Sequence, residues 1–166
     1  MADLTGSTFA LVPSCGLCSG TGLPADAGRY VWDDGVWRLW TSTRGSVPGF
    51  SILMPKRHVP HVTDLAGMEA ATLGDVLGRT TRALREATGT QVVYLYVFGE
   101  GIAHLHIHLA PHRSDDALNS AMLRGRVSEE PLPSGATVLR SLDFPERPEH
   151  ELNETADAIA KLLAEA

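Results

Sequence analysis

Cysteine is scarce in this chain: two among 166 residues, Cys15 and Cys18. Two cysteines cannot build a disulfide framework, so the fold must rest on packing. Their separation by two residues reads instead as half of a metal site or as a redox pair. Long apolar runs are also missing. No stretch approaches the length that spans a bilayer, and the start of the chain lacks the basic segment and apolar run of a signal peptide. These absences predict a cytoplasmic protein. Dense runs of Lys or Arg are absent as well, and the formal net charge is -6. Nucleic-acid binding driven by phosphate neutralisation is therefore not expected. A small charged substrate stays open, because a site needs only a few local cations.

What is present suits one globular domain. Apolar residues make up 43% and charged residues 20% of the chain, which is enough to bury a core. Residues 1–28, rich in Gly, Pro, Ser and Thr, read as an arm carrying the Cys-Gly-Leu-Cys turn. Arg29–Asp33 and Val36–Thr41 read as strands joined at Asp34-Gly35. Thr43–Gly49 is a loop, and Phe50–Met54 a buried strand stopped by Pro55. Thr63 or Asp64 can cap a long helix with Leu65, Met68, Leu73, Val76, Leu77 and Leu84 at helical spacing, ended by Gly89. Gln91–Phe98 reads as a strand, Gly99–Ala103 as a turn and His104–Ala110 as another strand. Ser114 can cap a short helix over Asp115–Leu123. Arg124 to Pro148 reads mostly as loop. Glu149–Ala164 is an amphipathic helix with Leu152, Ile159, Leu162 and Leu163 as its stripe. The expectation is an α+β fold: an antiparallel sheet with one principal helix and a C-terminal extension.

The chemistry lies in His104-Leu105-His106-Ile107-His108-Leu109. Side chains alternate across a strand, so three imidazoles share one face and three aliphatics the other. The aliphatic face anchors the strand; the histidine face is held rigidly. Imidazole serves as nucleophile, proton donor or metal ligand near neutral pH. Two readings remain open on chemistry alone. His104 and His106 bind a catalytic zinc with an open position, or one histidine serves a structural metal while another attacks the substrate.

The alternation of His and apolar residues from His104 to Ala110 resembles the signature of the histidine triad (HIT) superfamily. A second match is Ile52-Leu53-Met54-Pro55-Lys56-Arg57-His58-Val59, and a third is Cys15-x-x-Cys18, found in zinc-bearing branches. The resemblance spans about residues 9 to 112 of a single domain covering 1–166; the extension from 113 to 166 matches no motif. It implies an antiparallel sheet of about five strands with a long helix, and dimerisation through that helix and an edge strand. It also implies a closed zinc site of Cys15, Cys18, His58 and His104, a set suited to a structural ion. By the same resemblance His106 is the nucleophile that attacks phosphorus, usually the α-phosphate of a nucleotide, to form a covalent phosphoramidate. His108 would contact the phosphoryl oxygens or the leaving group.

Three positions depart from the family pattern. Ser42 stands where an acidic residue commonly holds ribose hydroxyls; as a substrate-binding candidate its hydroxyl can still hydrogen-bond, without the charge-assisted acceptance of a carboxylate. Phe50 stands where a His is common. The loop Phe98–Ala103 is shorter than usual; Glu100 would repel phosphate if it pointed inward, while Gly99 and Gly101 can present backbone N–H groups to an anion. Arg113, Arg124 and Arg126 are candidate replacement cations, and His61 and His112 candidate pocket residues; His150 has no motif support. Trp32, Trp37 and Trp40 cluster near the hairpin and either pack the core or stack a planar ligand.

The leading expectation is thus a hydrolase or transferase acting on a phosphorus ester, anhydride or phosphoramidate of a nucleotide. The alternatives are a HIT-fold enzyme with a non-nucleotide substrate and divergent, zinc-dependent chemistry, and a noncatalytic ligand-binding module.

Overall fold

The computed structural model describes residues 12–97, 102–114, 116, 126–131 and 137–166. The expected helix over Asp115–Leu123, apart from Asp116, together with Arg124 and the loop residues Gly99, Glu100 and Gly101, lies outside the described residues.

The hairpin expected at Asp34-Gly35 is formed by β1 (Gly28–Asp33) and β2 (Trp37–Ser42). Asp34 drives it: its Oδ1 accepts the backbone N–H of Val36 at 2.9 Å and of Trp37 at 2.7 Å. Gly35 takes φ +93°, which a side chain would disfavour. β3 (Ser51–Pro55), β4 (Val92–Val97) and β5 (Ile107–His112) complete an antiparallel sheet of five strands in the order β1-β2-β3-β5-β4.

Between β3 and β4 runs α2 (Gly67–Thr88), preceded in the chain by the one-turn α1 (Gly16–Ser19). The long helix does not start at Thr63 or Asp64. His61 and Asp64 cap each other in a separate 3-10 turn, Val62–Asp64. Leu65 then turns extended, with φ -61° and ψ 132°, so the helix opens only after Ala66. Met68 consequently falls off the apolar stripe and is 57% exposed, while Val76, Ala83 and Leu84 are buried. Gly89 closes the helix in the left-handed region at φ +67°, as its position predicts.

The stretch read as loop between Arg124 and Pro148 contains two strands. β6 (Val127–Pro131) pairs antiparallel with β7 (Thr137–Ser141) as a separate two-stranded sheet. Val-Ser-Glu-Glu-Pro has no apolar alternation, so no periodicity marks it. Arg126 holds the base of this hairpin through its N–H and guanidinium to Asp143.

α3 (Glu149–Glu165) lies beside α2 on one face of the sheet. Ile159 and Leu163 join Trp37, Leu39, Leu53, Leu84, Leu105, Ile107 and Leu109 in one buried cluster between helices and sheet. The other face of β2 and β3 carries Trp40, Ile52 and Met54, packed by Cys15 and Leu17 from the N-terminal arm. The sheet therefore separates a helix side from a side on which the arm and the histidines sit. No helix among the described residues is long and apolar enough to cross a membrane.

Candidate active and metal site

Cys15, Cys18, His58 and His104 converge, with one ligand atom from each within 4.8 Å of the others. Cys15 is the N-cap of α1 and Cys18 lies inside it, with Gly20 at φ +79° turning the chain out. Gly22 makes the knuckle compact, since a Cβ there would meet the Gly16 carbonyl carbon at 2.8 Å. His58 follows β3 in a turn pinned on both sides. Lys56 Nζ reaches Asp33 at 2.9 Å, and Arg57 Nε reaches the buried Glu69 at 2.8 Å. Arg38 closes the flank of the knuckle by donating to the Leu17 carbonyl, its guanidinium 4.7 Å from the Tyr30 ring centre.

The donor chemistry of this cluster suits a tetrahedral ion. His104 Nδ1 lies 3.5 Å from Cys15 Sγ and 3.4 Å from Cys18 Sγ, and His58 Nδ1 lies 3.5 Å from Cys18 Sγ. Bonds of about 2.3 Å to sulfur and about 2.0 Å to nitrogen give tetrahedral edges of roughly 3.5 Å. His104 Nε2 donates to the Pro55 carbonyl at 2.9 Å, which leaves Nδ1 unprotonated and aimed at the thiols. Burial, ahead of neighbouring charges, also holds the His104 pKa below its ordinary value.

The histidine strand starts later than its alternation suggests, at Ile107 rather than His104. The backbone before it is bonded elsewhere. His104 N donates to Ile102 O at 2.7 Å and Leu105 N to Val59 O at 2.6 Å. The His104 carbonyl accepts from the ring of His106, its Nδ1 at 2.6 Å. Facing still alternates: Leu105, Ile107 and Leu109 enter the helix-side cluster. The rings of His106 and His108 meet edge to face, 5.2 Å between centres.

A carbonyl can only accept, so His106 carries a proton on Nδ1, and in the neutral ring the lone pair is on Nε2. His108 has its pKa pushed down to about 4, first by burial and then by His106, so it is neutral at pH 7. Phe50 stacks on His108 at 5.8 Å.

Most of the other sequence candidates are engaged by partners elsewhere in the fold. Ser42 is 8% exposed, and its Oγ lies 3.1 Å from the Ala27 carbonyl and within hydrogen-bond distance of Arg44 O. Arg113 donates to the Thr88 carbonyl at the end of α2, and Arg126 pairs with Asp143. His61 sits in the 3-10 turn and His150 is exposed at the start of α3. His112 is bound to Asp116, Nδ1 to Oδ1 at 3.0 Å. Trp37 is fully buried on the helix side, bonded to Thr72 Oγ1 at 3.0 Å. Trp32 packs against the same cluster beneath Arg79. Trp40, on the histidine side, is 6% exposed and pressed onto Gly28. Packing is thus the role in which the structure places all three tryptophans.

Sequence reasoning missed Asp116, Tyr94 and Tyr96. The two tyrosines at i and i+2 of a strand were the available signal for a shared face. Nothing in the sequence pairs Asp116 with His112.

An antiparallel sheet under two helices, with a Cys2His2 cluster beside a tautomer-fixed histidine, defines the class of protein. The chain belongs to the HIT domain family, whose model matches residues 29–115. It is 30% identical over 102 residues to an uncharacterized HIT-like protein of Mycobacterium tuberculosis, covering 55% of this chain and 67% of that one. Among solved structures it is similar to a hypothetical histidine triad nucleotide-binding protein from Sulfolobus tokodaii, with 18% identity, TM-score 0.61, and coverage of 91% and 93%. It is also similar to a zinc-bound histidine triad family protein from Mycobacterium smegmatis, with 20% identity, TM-score 0.58, and coverage of 92% and 95%. At these identities the structural likeness speaks for the fold.

Proposed function

We propose that this chain is a hydrolase or transferase that cleaves a phosphorus ester, anhydride or phosphoramidate of a nucleotide through a covalent intermediate on His106. The observation that carries this reading is the 2.6 Å bond from His106 Nδ1 to the His104 carbonyl. It fixes the tautomer whose Nε2 lone pair is available for attack. That pair forms an N–P bond while the bond from phosphorus to the leaving group breaks, and the leaving group departs with the bonding electrons and takes up a proton. Water or another acceptor then attacks the phosphorus and returns the pair to Nε2. His108, neutral at pH 7, supplies an N–H to a phosphoryl oxygen or to the leaving atom. Gly99 and Gly101 are proposed to add backbone N–H groups. The nucleotide reading takes support from the nucleotide-binding name of the Sulfolobus tokodaii neighbour.

Cys15, Cys18, His58 and His104 would hold zinc, as a closed set of four protein ligands. Bound there, zinc would supply folding energy and rigidity, with no coordination position left for substrate. The partner of the chain is a second copy, at the exposed Leu95 and Val97 of edge strand β4 and Met68 of α2. Sedimentation at micromolar concentration, comparing native protein with Leu95→Glu, tests that assignment.

One observation favours a second reading, a non-nucleotide phosphorylated substrate. The Ser42 hydroxyl is taken up by backbone groups of Ala27 and Arg44, so it offers no carboxylate-like grip on a ribose. Turnover on adenosine phosphoramidate, dinucleoside polyphosphates and nucleotide sugars decides between the two, with His106→Ala as control. Release of nucleoside monophosphate by native protein, lost by at least about 10^3-fold in the variant, is expected. Silence of folded, zinc-loaded protein across the panel would sink the nucleotide reading.

A further inference from the structure

The histidine face does not end at His108. β5 carries Ala110 and His112 at the next positions of the same face, and β4 lies alongside in register. Tyr96 is opposite His108, and Tyr94 is opposite Ala110. The rings form a row: Tyr96 to Tyr94 at 6.0 Å, and Tyr94 to His112 at 5.0 Å between centres. Ala110 and Val47 form a buried apolar floor beside the tyrosines. Because Ala110 has no side chain beyond Cβ, Tyr94 lies across it without obstruction.

His112 is fixed within this row. Asp116, 4% exposed, lies 3.0 Å from its Nδ1 and also accepts the Arg113 N–H at 2.6 Å. A neutral His112 held this way presents Nε2 as an acceptor. Tyr94 and Tyr96 are half-buried, unlike the core aromatic Trp37.

Direction decides what this face would receive. In-line displacement sends the leaving group away from the attacking His106 Nε2. Toward His104 the site runs into the metal cluster. The other way it runs past His108 onto the rings. Successive rows of one face are roughly 6.6 Å apart along a strand, so Tyr94 is within reach of a ring tethered to the leaving atom by a short chain.

We infer that Tyr94, Tyr96 and His112 form a subsite for the leaving group of the substrate, and that this subsite selects a planar aromatic group on a short tether. The inference rests on His106 being the nucleophile, so its test separates binding from turnover. The probes are two adenosine 5′-phosphoramidates, one of tryptamine and one of n-butylamine. Calorimetry with His106→Asn protein, shown to be folded, measures their affinities without cleavage. The indole probe is expected to bind about ten-fold tighter, the scale of an aromatic contact with its buried area. Adding Tyr94→Ala should abolish that preference, and adding Tyr94→Phe should retain it. Equal affinities, no binding of either probe, or a preference that survives Tyr94→Ala would overturn the subsite. If the preference behaves as expected but native protein cleaves neither probe, the aromatic contact at Tyr94 stands, and its leaving-group role falls with the phosphoryl-transfer reading.

Discussion

His104 does two things for His106: its carbonyl accepts the Nδ1–H of His106 at 2.6 Å, and its own imidazole is fixed in the Cys2His2 cluster, 3.4 Å from Cys18. The proposed metal site and the proposed nucleophile thus share one residue. Anything that releases the His104 ring also loosens the acceptor that sets the His106 tautomer.

Metal removal should therefore reach the nucleophile. Chelation of the proposed zinc, or Cys18→Ser, is expected to lower Tm and to lower kcat by at least about ten-fold, the scale of outer-shell effects at such sites. The specific readout is the imidazole nitrogen NMR spectrum of His106. It should change from a single Nδ1–H tautomer to a mixture. A kcat loss with that tautomer unchanged would break the proposed link.

The Cys2His2 cluster was legible in the sequence because each of its residues lies in a short motif. Cys15 and Cys18 bracket one turn, His58 follows a strand and His104 opens the histidine run. The sheet was legible for a similar reason, as Asp34-Gly35, Pro55 and Gly89 punctuate its elements. What escaped depended on hydrogen bonds and pairings that no periodicity or short motif marks. The start of β5 moved from His104 to Ile107 because Val59 and the His106 ring take the backbone groups a strand would use. The cap of α2 moved because His61 and Asp64 satisfy each other. β6 and β7 escaped because no apolar period marks β6. Asp116 pairs with His112 only four residues earlier, but no motif marks the pair.

Acid should destabilise the protein through His108. Its folded pKa is about 4, against an ordinary 6.5 that the unfolded chain would show. The unfolded state therefore binds the extra proton first as pH falls. Stability is fully present above pH 6.5 and is lost progressively down to about pH 4, by up to about 3 kcal/mol. Denaturant melts of native protein and His108→Gln at pH 7 and pH 4.5 check this. The variant should lose markedly less stability between the two pH values; equal losses would refute the assignment.

Gly28 is the seat of Trp40. A Cβ there would overlap Trp40 Cζ2 and lie 2.5 Å from the Thr41 carbonyl oxygen. The second contact is backbone, so a rotamer change cannot relieve it. Gly28→Ala is expected to destabilise by about 2–3 kcal/mol or more, by overpacking the hairpin. A thermal melt within about 2 °C of native would show that the hairpin yields easily.

The C-terminal extension is proposed to be part of the one domain, not an appendage. Ile159 and Leu163 of α3 are at most 2% exposed and share a cluster with Leu39, Leu84 and Leu109. The middle of the helix is also tied to the sheet edge, since Arg29 of β1 pairs with Asp157. These contacts differ in worth. The ion pair is exposed, and removing it by Asp157→Asn should change stability by less than about 1 kcal/mol. Ile159→Ala removes apolar contacts from the middle of the core and should cost about 2–5 kcal/mol. Urea melts of both variants test the order. A cooperative single transition shifted strongly by Ile159→Ala means that α3 folds with the sheet. An unshifted main transition would mean that the helix opens on its own and that the domain ends before it.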